Sequence, residues 1–410
     1  MTTTQEQDKP LTGGAAPAGS VSAIANRKES HGGGSIPLQT RSERVASYDV
    51  ADFAVPKGRE EDWRFTPVKA LKALFADEAG TEIAKVDVQA PEGVVVEPVA
   101  ADTFKILKPQ DRSAAVAWKH AEKALAVRIP ADAELTKPVH VNVESLGGRG
   151  FGHLVIEAGR HSRAIVILDH TGAGELGTNV EISVGDGAEL RVVSIQQGDG
   201  ESVHLAQHDA LVGRDAKLNH VAVTLGGKVV RVATNVRYAG PGGDAVLLGV
   251  YFAESGQHQE HRLFVDHEAP NCQSHVTYKG ALAGESAHSV WIGDVLIRAA
   301  AEGTDTFELN RNLILTDGAR ADSVPNLEIE TGEIVGAGHA SATGRFDDEQ
   351  LFYLQARGID EDEARRLVVS GFFNDIIGKI GVPEVTEHLH DVIEQKLART
   401  AALTEATAAR

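Results

Sequence analysis

For roughly two hundred residues beginning at Val139 the chain consists of short, branched-rich runs of alternating polarity, and no other feature restricts its fold as much. HVNVESL, HLVIEA, RAIVILDHT, NVEISV, ELRVVSIQQ, LNHVAVTL, KVVRVATNVRY, AVLLGVYF, HRLFVDH, SHVTYKGAL and SVWIGDVLI follow one another with Gly, Asp, Asn or Ala between them. Period-two alternation in such residues predicts strands. A looser repeat is superimposed: GDGAEL at Gly185, GRDAKL at Gly213 and GGDAVL at Gly242 each place a Gly-Asp type turn before Ala and a strand entry. The spacing, a little under about thirty residues, is too long for a hexapeptide helix and suits wider coils stacked on one another. An antiparallel sandwich accounts for the same runs, and periodicity alone leaves both architectures open. A stacked coil would have two ends with unpaired backbone groups, each needing a cap or a partner strand from another chain.

The flanks read differently. Residues 1–40, rich in Thr, Gly, Ala and Ser, predict a disordered tail. Residues 41–138 read as a helical or mixed domain: RSERVASYDVADF predicts an amphipathic helix, a second helical segment is led by Thr66 and Pro67, and a third surrounds Ala114 to Leu125. Trp63 and Phe65 are expected to pack this domain onto the rest. Residues 139–345 form the β core, and residues 346–410 a C-terminal helical domain. Between the last two, Leu327, Ile329, Ile334 and Val335 keep strand spacing, while Gly336, Gly338 and Gly344 predict a turn-rich link carrying His339. From Leu351 the period is helical, with Ala364, Leu367, Val368, Gly371, Phe372 and Asp375 on one face. Asp347, Asp348 and Glu349 suit a helix N-terminus, and Asp360 with Glu363 a capping box. Phe372 and Phe373 cannot both face one core, so one is expected to project toward another chain.

Charge and cysteine content narrow the function. With 59 acidic against 40 basic residues the net charge is −19, which disfavours nucleic acid and anionic membrane surfaces. The sequence lacks a run of about eighteen apolar residues and a basic-then-apolar leader, so the expected location is the cytoplasm. One cysteine, Cys272, rules out an intramolecular disulfide and a cysteine-ligated cluster closed within one chain. Cys272 is expected in a turn or packed as a small apolar residue. Gly172-Ala-Gly174-Glu-Leu-Gly177 matches G-x-G-x-x-G, yet the following NVEISVGD alternates like a strand instead of opening a helix. Gly226-Gly227-Lys228 continues with Val, so it is no Walker A loop. His204/His208 and His258/His261 are wrongly spaced along strands to share one ion and are expected on the surface of the coils.

Several segments carry a family resemblance covering about residue 40 to the end. HASATGRFDDEQLFYLQARGI, with PNLEI before it and ARRLVVSGFFNDII after it, resembles the C-terminal signature of the SufB/SufD family of iron–sulfur cluster assembly proteins. VDHEAPNCQSHVTYKG and EGTDTFELNRNLIL fit the same family, and EEDWRFTP resembles the SufD branch. The resemblance implies a mainly β fold with a parallel β-helix core between helical domains. It also implies a non-catalytic scaffold that pairs with SufB, docks the ABC ATPase SufC, and self-associates where SufB is missing. A transient Fe–S cluster would form at the complex interface, with ATP used by the partner ATPase. His339 matches the position implicated in cluster building, as a ligand for iron. The family pattern often has Cys two residues earlier, where this chain has Ala337, which shifts thiolate ligation to the partner. The segment Asp362 to Ile380, with Leu367, Val368, Phe372, Phe373 and Ile376, is the expected ATPase dock. Two alternatives remain: a SufB-like cluster-carrying scaffold, and a β-helix carbohydrate-active enzyme.

Overall fold

Successive turns of the chain lie in register on one another. In the computed structural model, which describes residues 44–81, 84–121, 123–345 and 348–408, Glu189 pairs with Lys217, Lys217 with Asp244, Asp244 with Gln273 and Gln273 with Asp305, all in parallel. The disordered tail expected over residues 1–40 lies outside the described residues. Parallel pairing at this repeat makes the core a β-helix and removes the sandwich alternative.

Among the described residues sixteen strands build it: β1 (Lys85–Gln89), β2 (Val95–Val99), β3 (Ala124–Ile129), β4 (Val139–Ala158), β5 (Arg163–Val184), β6 (Glu189–Gly198), β7 (Val203–Val212) and β8 (Lys217–Thr224) come first. β9 (Val229–Tyr238), β10 (Asp244–Ala253), β11 (His258–His267), β12 (Gln273–Leu282), β13 (His288–Ile297), β14 (Asp305–Ile314), β15 (Arg320–Ile329) and β16 (Gly336–Arg345) complete the stack. The first half of β5 pairs with β6 and the second half with β7, so the single strand β5 turns a corner between two sheets. Its corner is the glycine motif: Gly172 and Gly174 have φ of 88° and 97°, and a Cβ on Gly172 would overlap the Ser145 carbonyl. From there β6, β8, β10, β12, β14 and β16 stack on one side and β7, β9, β11, β13 and β15 on the other.

Alternation sends Val192, Leu218, Leu247, Val276, Val236, Val265, Val295 and Ile297 into the lumen, where Tyr251, Tyr278 and Trp291 are fully buried. Each sheet's outer face has its own cover. Over β5, β7, β9 and β11 lies the N-terminal segment, with α1 (Lys72–Phe75) packed on β5 and α2 (Arg112–His120) on β4, β5 and β7. Trp63 packs edge-on against Phe75 (5.0 Å) and under the Arg231 guanidinium (4.1 Å), as expected of a docking residue. Arg231 also donates to Asp111 (2.7 Å) and Glu260 (3.2 Å). RSERVASYDVADF is not the expected helix; beyond one short turn at Val50–Asp52 its described residues have no regular structure. Arg44 is drawn to Asp294, and the Tyr48 hydroxyl donates to the Leu107 carbonyl at 3.0 Å, so tertiary bonds outweigh local amphipathicity.

Over β6, β8, β10 and β12 lie α3 (Asp348–Gln355), α4 (Glu361–Ile377) and α5 (Pro383–Ala408). Asp360 caps α4 as expected, accepting from Glu363 N at 3.0 Å. The buried stripe of α4 is Ala364, Val369, Phe373, Ile376 and Ile377, packed on Val221, Val223, Leu248, Val250 and Phe252. Except for Ala364 it is not the face expected from the sequence.

Candidate functional site

The two ends of the stack differ. At the first, β1 and β2 run antiparallel to β4 and β3 and terminate the pairing with short strands, one containing Pro98. Short strands and proline are features that blunt a sheet edge. At the other end β15 pairs only with β13 and β16 only with β14, leaving each with an outer side unpaired among the described residues. Arg320 N donates to Ala287 O, so by alternation the missing N–H of Pro325 falls on the free edge of β15. Gly336 N likewise points inward to Thr304 O, which turns the N–H groups of Ala337, His339, Ser341 and Thr343 outward along an edge without proline. Exposed Phe307, Ile329 and Val335 surround this end.

His339 therefore lies in a strand, not in the expected turn. Small residues lower the strand propensity of GAGHASATGR, but pairing of all ten with β14 imposes the extended form. His339 is in register with Glu308, so both side chains point the same way, His339 exposed at the lumen mouth and Glu308 one coil below. Glu308 is 1% exposed and neither carboxyl oxygen has a hydrogen-bond partner. Burial, and secondarily the Asp294 charge, push its carboxyl up to about 8, so it is protonated at neutral pH. Beside it a closed network is satisfied: Ser323 donates to Asn310 (2.6 Å), Asn310 to the Tyr251 hydroxyl (2.9 Å), and Asn312 to Ser323 (3.1 Å) and Thr343 (3.3 Å). Nothing in the sequence spacing singled out Glu308; its alternation marks an inward residue, and only the register brings it under His339.

The other candidates are placed as follows. Phe373 and Ile376 are wholly buried under the chain's own β-stack and present no surface to a partner, a correction to the expected dock. Val368 and Phe372 are half-buried, and Phe372 lies 5.0 Å from the Lys279 ammonium. Leu367 is 45% exposed, joined on α3 by Phe352 at 72% and Tyr353 at 58%. Structure thus separates His339, at the end of the stack, from the helical residues over its side. The histidine pairs are not on the surface: His204 bonds Thr178 (2.8 Å), His208 bonds His220 (3.0 Å), His261 bonds Thr224 (2.9 Å) and His258 lies 3.2 Å from Glu260. Burial holds His170, His220 and His261 down to about 4, so these rings are neutral struts. Cys272 packs in the lumen core against the Gly240 and Pro270 carbonyls, and burial raises its thiol, which opposes a thiolate role. Among the described residues no group of three or more His, Cys, Asp or Glu is arranged to hold a metal.

Comparison with known proteins accords with this architecture. Residues 141–372 match the family model for the SufBD core domain of SUF system FeS cluster assembly. An iron–sulfur cluster assembly SufBD family protein of Mycobacterium tuberculosis is 52% identical over 372 residues, covering 88% of this chain and 94% of the relative. The iron–sulfur cluster assembly protein SufD of Bacillus subtilis is 27% identical over 66% of this chain and 63% of its own length. SufD of Escherichia coli is 28% identical over 54% of this chain and 51% of its own. With the β-helix, its two helical covers and these matches in place, the chain belongs to the SufBD family of iron–sulfur cluster assembly proteins.

Proposed function

We propose that this chain is a non-catalytic, SufD-like scaffold of a cytoplasmic SUF assembly complex, pairing with a SufB-like chain and docking a SufC-like ATPase. The observation that carries the reading is the asymmetry of the stack: one end is blunted by β1 and β2, while the other offers the unpaired β16 edge with His339 at its centre. Such an edge accepts a strand from a second chain through backbone hydrogen bonds. Neutral imidazole is a suitable borderline ligand for iron, and with Cys272 buried the thiolates at a nascent cluster come from the partner. ATP acts through the docked ATPase, for which Phe352, Tyr353 and Leu367 form the exposed apolar contact. None of the helices searched is long and apolar enough to cross a membrane.

The test is co-purification of the tagged chain with SufB-like and SufC-like proteins, comparing wild type with His339→Ala and Ser341→Pro. Ser341→Pro removes an outward N–H that this chain does not use. Loss of the SufB-like protein in Ser341→Pro, and loss of iron and sulfide from an intact complex in His339→Ala, support the reading. An unchanged complex in the first variant and unchanged iron and sulfide in the second refute it.

A further inference from the structure

The strongest unexplained feature of the molecule is a carboxyl group sealed in the last closed coil with nothing to bind. Other buried acids are served: Glu181 accepts from Leu107 N (3.1 Å) and lies 2.9 Å from His153, Glu260 accepts from Arg231 and Thr66, and Asp209 accepts from Asn235 (2.6 Å) and Gln207 (3.0 Å). Glu308 has no donor or acceptor on either oxygen, and its neighbours Asn310, Asn312 and Ser323 are engaged with one another. Unsatisfied buried polar groups are costly and rare, and they call for a missing partner. Opposite lies Gly293, whose lack of a side chain lets the backbone come close: a Cβ there would stand 2.8 Å from Glu308 Oε1.

We propose that Glu308 and His339 form a two-residue donor pair for a divalent ion of the Fe2+ type at the mouth of the β-helix. This deepens the reading of the terminal coil as an assembly face and rests on it for biological meaning. Adjacent strands lie about 4.8 Å apart, so in-register side chains pointing the same way can converge on one ion. Ligand distances of about 2.0–2.2 Å from imidazole nitrogen and carboxylate oxygen bridge that spacing. Residues four apart along one strand, such as His204 and His208, cannot do so. An imidazole with a carboxylate is a donor set that iron, manganese and zinc accept. The pair is incomplete by design of the fold: its remaining coordination positions face outward past the β16 edge, where water or a partner's side chain fills them. Such an open pair suits delivery of an ion to a neighbouring chain more than its storage.

The test uses the purified full chain and Co2+ alone as a visible-absorbing probe, with anaerobic Fe2+ competition. Wild type is expected to bind one Co2+, giving ligand-field absorption that Fe2+ suppresses. Glu308→Gln and His339→Ala should each weaken binding at least about tenfold, the lower bound for even the outer-shell partners of a bound metal. Should Glu308→Gln fail to fold, Glu308→Asp keeps the carboxyl group but withdraws it by one methylene and should show the same direction of loss. Wild-type binding by Glu308→Gln, or no difference between wild type and a variant carrying both Glu308→Gln and His339→Ala, overturns the pair. The assembly-face reading fails separately: if both variants lose Co2+ while the complex containing them still accumulates iron and sulfide, the pair stands and that reading falls.

Discussion

The Lys279 ammonium, standing out from β12, donates to the Asp375 carboxylate of α4 at 2.7 Å. The same nitrogen donates to the Phe372 carbonyl at 2.9 Å, so one buried cation pins the helical cover to the stack. Lys279→Met keeps the stem and removes both bonds. Charge-assisted bonds of this kind contribute about 1.5–3 kcal/mol each. The expected result is faster amide exchange across α4, with exchange in β6 to β12 little changed; uniform loss of protection throughout the chain would show that the cover does not open separately.

Stability should depend on pH in two opposed ways. Buried His170, His220, His261 and His267 have values lowered to about 4 against about 6.5 unfolded, so the unfolded chain binds more protons and stability rises with pH up to about 6.5. Glu308, raised to about 8 from about 4.3 unfolded, does the reverse: its unfavourable contribution grows from about pH 4 until the folded group ionises near 8. Asp209, pushed up to about 6, acts in the same sense over a narrower range. Between pH 7 and 8 Glu308 dominates, so urea midpoints of wild type should fall there, with a slope of up to about 1.4 kcal/mol per unit, while those of Glu308→Gln stay level. Parallel curves would show that Glu308 is not held protonated.

Gly249 and Gly280 face Tyr278 and Tyr251, and a Cβ on either would overlap the ring opposite. The glycines make room for aromatic side chains that fill the lumen. Gly280→Ala should destabilise the protein by about 1–3 kcal/mol through overpacking, read from the urea midpoint. Gly256, with open space around it and φ of 73°, provides a comparison: Gly256→Ala should act only through backbone strain.

The sequence revealed most where one local rule governs. Alternation with the repeat at Gly185, Gly213 and Gly242 located three turns that open β6, β8 and β10, and the family resemblance chose between β-helix and sandwich. It misled where distant partners decide. His339 reads as a turn residue because glycine and alanine surround it, yet β14 supplies a full ladder. The α4 pattern offers two adjacent apolar stripes, and contact with Leu248, Val250 and Phe252 selects the one with Phe373. His204, His208, His258 and His261 look polar and exposed, but threonine and histidine partners inside the coils accommodate His204, His208 and His261, and Glu260 beneath the N-terminal cover accommodates His258. Glu308 was invisible for the same reason: its meaning depends on what lies one coil above.

The two ends of the stack are unequal edges. Among the described residues β1 and β2 are short edges at one end of the stack and β15 and β16 ten-residue edges at the other, so joining two such long-edged ends would cover the larger unpaired surface of both. Head-to-tail addition, the route by which open β edges propagate into fibres, would have to start on the short strands β1 and β2, one of them carrying Pro98. The fold therefore leaves one long strand edge open while giving fibre growth only a short, proline-bearing second edge to build on.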